Sequence, residues 1–335
     1  MTRRIRIVIN GFGRIGRTVL RQLLTQQENT DIDVVAINDI APLKTCAYLF
    51  QYDSVFGPYP GSVQAGPASL AIADRVFPFW NHSDLRHADL SGVDVVLECT
   101  GRATQRATAE AGLDAGAAKV LISGPSPCAD KTIVMGANDA ALGDARIVSN
   151  ASCTTNAIAP LLRSLDVGLG IERAHITTIH CYTGSQPTVD VPGPNLERSR
   201  AAAVSMVPTT TSAASQVVEV LPDFRDRLSV AAVRVPCLSV SAIDAVFQIS
   251  GTPDQPLRDF IQSSFAGSGL VGMTEDACVS TDLRARPESL VIALPETMVI
   301  GPGQLRVFGW YDNEWGFSAR MIDMTRRLAR RSQSV

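Results

Sequence analysis

The segment from Ser149 to Asn156 places a cysteine among hydroxyl and amide side chains, directly before an apolar run over residues 157–162. That run has helical spacing, so Cys153 is predicted to lie at the first turn of a helix. The partial positive charge of a helix amino terminus stabilises a thiolate and should lower the pKa of the thiol. A buried, unreactive thiol is the commoner state of a cysteine. The polar neighbours Ser152 and Thr154 favour a nucleophile instead.

A glycine pattern near the start of the chain indicates a second site. The motif GxGxxG follows a strand-like run over Arg4–Ile9 and precedes a helical apolar pattern, as a dinucleotide-binding turn requires. In such a turn the first glycine permits the bend, the second admits the pyrophosphate, and the third allows close packing of helix on strand. The helix amino terminus then faces the phosphates. The motif residues are Gly11, Phe12, Gly13, Arg14, Ile15 and Gly16.

An acidic residue stands at the end of the second predicted strand, where dinucleotide-binding folds hold the adenosine ribose. Asp39 can accept hydrogen bonds from the ribose hydroxyls and would repel a 2′-phosphate, so NAD is favoured over NADP. Capping of the next element is the alternative role for Asp39. Arg14 is predicted to contact the pyrophosphate, with a surface salt bridge as the alternative. Residues at other predicted strand ends complete this site, namely Asn38, Thr100, Gly101 and Ser123.

Alternating strands and helices must position the glycine motif. Buried runs at Asp33–Ile37, Val93–Cys99 and Lys119–Ser123 follow the first strand, and an alanine-rich helical stretch covers Ala103–Ala115. This order predicts an α/β fold with a parallel sheet of the Rossmann type. It forms the first of two domains, over residues 1–152 together with a C-terminal helix at about 317–335.

The pattern changes after Cys153. Longer β-rich stretches at Ala174–Ile179, Ser229–Val235, Ser239–Ser250 and Gln304–Trp310 alternate partially, which predicts an α+β catalytic domain with a mixed or antiparallel sheet over residues 153–316. Between the first two lies a long loop, Thr183–Ser199, and a loop of that length is usually functional. The arginines of the C-terminal helix are interpreted as a solvated face; they are Arg326, Arg327, Arg330 and Arg331.

Composition excludes several classes of protein. The 335 residues carry a formal net charge of −3, which gives no general reason to expect nucleic-acid or membrane binding. No apolar run reaches the roughly 18–20 residues needed to span a bilayer, and no signal peptide is recognisable. Seven cysteines without a CxxC pair, and four histidines without HxxxH, predict reduced thiols, no metal site and a cytoplasmic protein.

Three motifs, in this order, resemble the signatures of the glyceraldehyde-3-phosphate dehydrogenase family: Ile9–Arg17, Ser149–Asn156 and Trp310–Gly316. The resemblance extends from the first strand to the final helix. It implies a C-terminal helix packed on the dinucleotide domain, NAD as cofactor, and a homotetramer. It also implies oxidation of a phosphorylated aldehyde at Cys153, followed by release of the acyl group to inorganic phosphate.

The resemblance assigns the remaining site residues. His180 corresponds to the catalytic histidine that pairs with the cysteine, and Asn313 to the residue that binds the nicotinamide carboxamide. Thr183 and Arg234 correspond to the binding site for the substrate phosphate. The site for the attacking phosphate is implied for Ser152, Thr154, Arg198, Thr211 and Ser212. A one-residue slip to Arg200 is an alternative to Arg198, and Ser212 replaces a glycine that is usual in the family.

Two other functions compete with this interpretation. Erythrose-4-phosphate dehydrogenase shares the fold, the cysteine and the histidine, but would use water as the acyl acceptor. The run Thr209–Thr211 and the pair Tyr182-Thr183 favour the triose enzyme, which makes 1,3-bisphosphoglycerate from D-glyceraldehyde 3-phosphate in glycolysis or gluconeogenesis. A catalytically weak relative acting as a binding protein is the other alternative. The presence of Cys153, His180 and Arg234 argues against it.

Overall fold

The computed structural model describes residues 3–251, 255–301 and 303–332. These residues divide into two compact units. The first contains the described residues within 1–133, 140–151 and 318–335, and the second contains those within 134–139 and 152–317. Residues 333–335 of the C-terminal segment assigned to the first domain from the sequence lie outside the described residues.

The first unit is built on one continuous sheet. Its short apolar runs are buried, as expected for strands that are covered on both faces. In strand β6, for example, all four residues are buried. Its strands are β1 (Ile5–Asn10), β2 (Ile32–Asn38), β3 (Val63–Ala65), β4 (Ser69–Ile72), β5 (Arg75–Trp80), β6 (Val95–Glu98), β7 (Lys119–Ile122), β8 (Lys131–Thr132) and β9 (Ile147–Ser149). Their order is β3-β4-β5-β2-β1-β6-β7-β9-β8.

The strands from β5 to β8 in this order run parallel, and β3 and β4 add an antiparallel edge. Helices of this unit include α1 (Arg14–Thr25), α2 (Leu43–Gln51) and α3 (Arg106–Asp114). The chain passes from β1 to β2 on one side and later returns to β6 on the other side of β1. Ligands of such sheets bind where the strand order reverses, at the carboxyl ends of the strands.

The second unit contains a mixed sheet. Its helices include α4 (Cys153–Leu169), α5 (Ala213–Val220) and α6 (Leu257–Phe265). Its strands are β10 (Ile171–Cys181), β11 (Val207–Thr209), β12 (Leu228–Val235), β13 (Ser241–Ile249), β14 (Val271–Thr274), β15 (Leu290–Ala293), β16 (Met298–Val299) and β17 (Gln304–Tyr311). The order is β11-β12-β10-β13-β17-β15-β14, with β16 paired to β17. Strand β10 pairs in parallel with β12 and antiparallel with β13.

The predicted fold class is confirmed in both units: a parallel Rossmann-type sheet in the first and a mixed sheet in the second. The strands β3, β4, β5, β8 and β9 of the first unit and β11, β14, β15 and β16 of the second were not predicted. Except for β5, they are two to four residues long, and their pattern is too short to be distinguished from a loop.

The C-terminal helix is α7 (Trp315–Ser332). The interpretation of its arginines as a solvated face is wrong for Arg326. The side chain of Arg326 is only 20% exposed, and its guanidinium donates to Asp31 at 2.8 Å and to Asn29 at 2.7 Å. Arg327 is partly buried and Arg330 is exposed, while the side chain of Arg331 lies outside the described part of the structure. The sequence pattern could not show this ion pair, because its partner lies almost 300 residues away.

Candidate active site

The first turn of α4 presents Cys153. Ser152 caps the helix, its hydroxyl accepting a hydrogen bond from the Thr155 amide at 3.1 Å. The Ser152 amide in turn donates to the side chain of Gln216 at 2.9 Å. Ala151 before the cap adopts a left-handed backbone, with φ of 54°. Cys153 is the first helical residue and is partly exposed, so the predicted helix start is confirmed. A sulfur in this position faces the positive end of the helix dipole.

His180 lies near the end of β10, and its ring is almost completely buried. Its Nε2 atom is 3.6 Å from the Sγ atom of Cys153. Its Nδ1 atom is 2.7 Å from the carbonyl oxygen of Cys181. A carbonyl oxygen can only accept, so Nδ1 carries the hydrogen of the neutral ring. Nε2 therefore presents a lone pair to the thiol and can take its proton.

Arg234 lies beside His180 and contacts the same carbonyl oxygen. Strands β10 and β12 pair in parallel with His180 opposite Arg234. The Nη1 atom of Arg234 lies 2.9 Å from the Cys181 carbonyl oxygen and 2.9 Å from Nδ1 of His180. Since both nitrogens carry hydrogen, they share the carbonyl as acceptor and do not bond to each other. This shared carbonyl holds the imidazole and the guanidinium in fixed positions beside the sulfur.

The electrostatics of the pair correct one expectation. Burial raises the pKa of the Cys153 thiol, although the Thr154 side chain and the charge of Arg234 oppose this effect. The prediction that the helix start would lower this pKa is therefore wrong in direction. Burial, with the charge of Arg234, lowers the pKa of His180 to about 4. Together these shifts mean that the pair shares one proton over a wide pH range and gains a second only in acid.

A cavity of about 360 Å³ adjoins this pair. Arg198 and Arg234 are the charged residues of its described lining, which contains no carboxylate. Burial lowers the pKa of Arg234, and the charge of Arg198 acts in the same direction. The Nε atoms of both arginines and the hydroxyl of Thr209 are buried without a hydrogen-bond partner among the described residues. Unsatisfied buried donors beside two positive charges are the features of an anion site.

The residues predicted to bind phosphate occupy different positions around this cavity. The lining includes Ser152, Thr154, Arg198, Thr211, Ser212 and Arg234. Thr183 is not part of the lining, and its hydroxyl contacts that of Ser185 at 3.0 Å. The alternative residue Arg200 is exposed and pairs with Asp190 at 2.7 Å.

Several of the predicted hydroxyl groups already have protein partners. The Thr211 hydroxyl accepts from the Ala213 amide at 3.1 Å, and the Ser212 hydroxyl accepts from Gln216 at 2.5 Å. The Thr154 hydroxyl lies 3.0 Å from that of Tyr311. A hydroxyl can donate and accept at once, so these bonds leave room for a further bond to an anion.

Sequence reasoning assigned no site role to three residues of this region. Thr178 and Thr209 line the cavity, and the hydroxyl of Tyr311 lies 2.7 Å from that of Thr178. The Tyr311 ring also meets His180 edge to face, with 5.9 Å between the ring centroids. Alternation along β10 puts Thr178 on the same face as His180, which was the available signal.

A second cavity, of about 300 Å³, lies at the carboxyl ends of β1, β2 and β6 in the first unit. Two glycines of the motif permit the close backbone packing beside this cavity. A Cβ atom on Gly16 would lie 2.2 Å from the Gly11 carbonyl oxygen, and one on Gly11 would lie 2.6 Å from the Cys99 carbonyl carbon. Gly13 differs, because a Cβ there meets no protein atom within 4 Å. It would instead occupy open space beside the amino terminus of α1.

Polar side chains connect the three strand ends around this cavity. The buried carboxylate of Glu98 accepts hydrogen bonds from Asn10 and Thr100, and Asn38 donates to Asn10 at 2.8 Å. Burial raises the pKa of Glu98. The Asp39 carboxylate accepts from the Phe12 amide at 2.6 Å and from the Ala41 amide at 2.7 Å. Asp39 thus closes the glycine turn and also lines the cavity.

The structure does not bring every predicted cofactor residue to this cavity. Its lining includes Gly11, Gly13, Asn38, Asp39 and Thr100. It does not include Phe12, Arg14, Ile15, Gly16, Gly101 or Ser123. The Phe12 ring is buried and stacks on Phe50, so only its backbone serves the turn.

Arg14, which does not line the cavity, pairs with an acidic residue of the same unit. Its guanidinium forms an ion pair with Asp53 at 2.6 Å, which is the salt-bridge alternative considered from the sequence. Asn313 belongs to the second unit, where its side-chain oxygen accepts from the thiol of Cys181 at 3.1 Å.

Comparison with known proteins identifies the family of this chain. Residues 5–106 match the model of the glyceraldehyde 3-phosphate dehydrogenase NAD-binding domain, and residues 152–313 match that of the C-terminal domain. A glyceraldehyde-3-phosphate dehydrogenase of Xanthobacter flavus is 44% identical over 95% of this chain and 97% of its own. The chain belongs to the glyceraldehyde-3-phosphate dehydrogenase family. The resemblance inferred from the three motifs is thereby confirmed.

Other members of the family cover the chain equally well. A glyceraldehyde-3-phosphate dehydrogenase of Pseudomonas aeruginosa is 45% identical over 97% of this chain and 98% of its own. One of Streptomyces coelicolor is 41% identical over 96% of this chain and 97% of its own. The cofactor of this dehydrogenase is NAD, as its NAD-binding domain indicates.

The cavity at the strand ends of the first unit, beside the glycine motif, fits that cofactor. Gly13 leaves the space that a pyrophosphate needs, and helix α1 has no side-chain cap to compete for it. No helix among the described residues is long and apolar enough to cross a membrane. The described residues also contain no cluster of three or more histidine, cysteine or acidic side chains that could hold a metal ion.

Proposed function

We propose that this dehydrogenase oxidises D-glyceraldehyde 3-phosphate to 1,3-bisphosphoglycerate, with inorganic phosphate as the second substrate. The observation that supports this most is the 3.6 Å contact between Cys153 and His180, beside a cavity with two arginines and no carboxylate among its described lining residues. A nucleophilic sulfur next to an anion site is what acyl transfer to phosphate requires.

Cys153 and His180 would act together in the first step. As the Sγ atom attacks the aldehyde carbon, Nε2 of His180 takes the thiol proton and passes it to the developing alkoxide, which gives a hemithioacetal. Backbone N–H groups at the start of α4 would stabilise the charge on that oxygen. Because the imidazole is held at Nδ1 by the Cys181 carbonyl, Nε2 stays aligned with the sulfur.

His180 would also serve the oxidation. NAD, when bound, supplies the hydride acceptor. Nε2 removes the proton of the hemithioacetal hydroxyl, and the carbon is left as a thioester on Cys153. The shared Cys181 carbonyl stabilises the imidazolium that forms, because it accepts from Nδ1. A thioester is reactive enough for transfer of the acyl group to a phosphate oxygen, which releases the thiolate.

We assign the anion-binding residues as the family resemblance implies. Arg234, beside His180, would bind the phosphate of the aldehyde, with Thr183 contributing from the loop after β10. The attacking phosphate would bind the remaining polar residues, which are Ser152, Thr154, Arg198, Thr211 and Ser212. The unsatisfied Nε atoms of Arg198 and Arg234 support this assignment. Thr209 joins the group because its buried hydroxyl lacks a partner among the described residues.

In the dinucleotide site, we propose that the turn Gly11–Gly16 holds the pyrophosphate and that Asp39 binds the adenosine ribose. Asn38 and Thr100, which line the cavity, would complete its walls. Gly101 and Ser123 are assigned to the same site from the sequence, although they lie outside the lining. Asp39 would disfavour NADP by charge repulsion. Arg14, the first residue of α1, would act through its ion pair with Asp53. Asn313 would bind the nicotinamide carboxamide.

Oxidation of erythrose 4-phosphate and a purely binding role remain the alternatives, and neither is favoured by an observation in the structure or by the names of the relatives. We further propose a homotetramer in the cytoplasm, the assembly and location that the family resemblance and the composition predict. The domain boundaries, 1–152 with 317–335 and 153–316, are proposed together with their roles in cofactor binding and catalysis.

Steady-state kinetics test the proposed reaction. The protein is assayed with NAD and either glyceraldehyde 3-phosphate or erythrose 4-phosphate, each with and without inorganic phosphate. Faster, phosphate-dependent oxidation of the triose is expected. A preference for the tetrose without dependence on phosphate would contradict the proposal.

A further inference from the structure

Cys181 occupies a buried position directly after the catalytic histidine. Its side chain is 1% exposed, and its thiol donates to the Oδ1 atom of Asn313 at 3.1 Å. Burial raises the pKa of this thiol to about 12, so it keeps its proton at neutral pH and remains a donor. The mechanism above uses the backbone carbonyl of Cys181 and leaves the side chain without a role.

Ser241, the first residue of β13, completes a small network with these two residues. Its Oγ atom accepts from the Cys181 amide at 3.1 Å and donates to the same Oδ1 atom of Asn313 at 3.4 Å. Ser241 is 1% exposed and Asn313 is 8% exposed. Two buried hydrogens, one on sulfur and one on oxygen, therefore converge on one end of the Asn313 side chain.

This convergence determines the orientation of the amide. The two ends of an asparagine amide have almost the same shape and differ only in that one accepts and the other donates. If the Asn313 amide were rotated by half a turn, the hydrogens of Cys181 and Ser241 would be buried without an acceptor, which is unfavourable. With Oδ1 held in place, Nδ2 is the free end. It makes no hydrogen bond with any residue in the described part of the chain.

We propose that Cys181 is a positioning residue, which together with Ser241 holds the amide of Asn313 so that Nδ2 donates to the carbonyl oxygen of the nicotinamide carboxamide. This rests on the proposed role of Asn313 in binding NAD. Cys181 touches neither substrate nor cofactor and acts only through Asn313. The effect of removing its thiol should therefore disappear when Asn313 is absent.

A double-mutant cycle on cofactor binding tests this. The dissociation constant of NAD is measured by calorimetry for the wild type, Cys181→Ala, Asn313→Ala and the double variant. Cys181→Ala should weaken NAD binding by about three- to tenfold, and should add less than about twofold in the Asn313→Ala background. An unchanged constant in Cys181→Ala, or independent effects in the double variant, would overturn the proposal.

Two further variants separate the hydrogen bond from packing. Cys181→Ser keeps a donor and should bind NAD within about twofold of the wild type. Cys278→Ala removes another partly buried thiol of the same unit, beside Thr274, and should leave NAD binding unchanged. Weakening by Cys181→Ser equal to that by Cys181→Ala would assign the effect to the sulfur volume and contradict the proposal.

The infrared S–H stretching band reports the contact without any cofactor. The band that Cys181→Ala abolishes should lie at the low frequency of a hydrogen-bonded thiol and shift upward in Asn313→Ala. A band unaffected by Asn313→Ala would overturn the proposal even if the alanine variants fold poorly. Failure of the proposed reaction is recognised separately, as a wild type that binds NAD but does not oxidise the triose phosphate.

Discussion

The Nε2 atom of His180 lies 3.6 Å from the Sγ atom of Cys153, and the opposite ring nitrogen of His180 is held by the Cys181 carbonyl at 2.7 Å. This relationship makes the sulfur and the imidazole a single titrating unit. Burial raises the pKa of Cys153 and lowers that of His180, so it favours the neutral form of each group. Movement of one proton from the thiol to the imidazole nevertheless creates two opposite charges at short range. Such a pair can form a thiolate without any change in its total charge.

The pH dependence of Cys153 alkylation should reveal this shared proton. The pKa of His180 is lowered to about 4, so the pair gains its second proton only as the pH falls toward that value. The rate of alkylation by iodoacetamide should therefore be nearly constant across neutral pH and decline in acid. In His180→Gln the Cys153 thiol, left without its proton acceptor and with a raised pKa, should react appreciably only in alkaline solution.

The rates are measured by mass spectrometry of the Cys153 peptide across the pH range. His175→Gln is the matched control, because His175 lies on the same strand but is exposed and contacts Ser229. It should retain the wild-type profile. Superimposable profiles for the wild type and His180→Gln would show that the two groups do not share a proton.

Two glycines of the dinucleotide turn should respond differently to alanine. Gly16→Ala places a Cβ atom 2.2 Å from a backbone oxygen and should destabilise the fold by roughly 1–3 kcal/mol or more. Gly13→Ala meets no protein atom and should change the free energy of unfolding by less than about 0.5 kcal/mol. It should nevertheless weaken NAD binding by more than about tenfold, because the methyl group occupies the pyrophosphate space. Urea unfolding and calorimetry provide the two measurements. Intact NAD affinity in Gly13→Ala would place the pyrophosphate elsewhere.

The two neighbouring arginines of the loop before β11 form a matched pair. Arg198 lines the cavity with an unsatisfied Nε atom, whereas Arg200 is exposed and pairs with Asp190. Loss of a charge-assisted contact should raise the KM for inorganic phosphate by about ten- to a hundredfold in Arg198→Ala. Arg200→Ala should change it by less than about twofold. Equal effects of the two substitutions would remove Arg198 from the phosphate site.

Cofactor preference tests the role of Asp39. Asp39→Asn removes the negative charge and keeps one of the two side-chain oxygens that accept from the backbone amides of Phe12 and Ala41. The ratio of kcat/KM for NADP to that for NAD should rise by at least about tenfold, because repulsion of the 2′-phosphate is lost. Asp33→Asn changes a partly exposed aspartate that pairs with Arg75 and serves as the control. An unchanged ratio in Asp39→Asn would leave Asp39 only its structural role in the glycine turn.

Local sequence patterns were sufficient to predict the helices and strands that carry these residues. The helix start at Cys153 and the strand before Gly11 follow from short-range apolar periodicity, which the chain displays within a few residues of each motif. The mixed sheet of the second unit was likewise recognisable, because strands such as β10 are long enough to show alternation.

Contacts between residues that are far apart along the chain could not be predicted from the sequence. The partner of Arg14 is Asp53, 39 residues away, and that of Cys181 is Asn313, 132 residues away. No local pattern specifies such pairs. The distinction between Arg198 and Arg200 also needed the structure, because the lining of the cavity comes from separate segments of the chain. The direction of the Cys153 pKa shift was missed because burial depends on the whole surrounding unit, while the helix dipole is a local property.

The acyl-enzyme itself tests the central claim most directly. The protein is mixed with NAD and glyceraldehyde 3-phosphate in the absence of phosphate, quenched in acid and digested, and the cysteine peptides are analysed by mass spectrometry. A 3-phosphoglyceroyl thioester should accumulate on Cys153, and a chase with inorganic phosphate should discharge it to the acyl phosphate within a turnover. An adduct on another cysteine, no adduct at all, or discharge that is indifferent to phosphate would contradict the account.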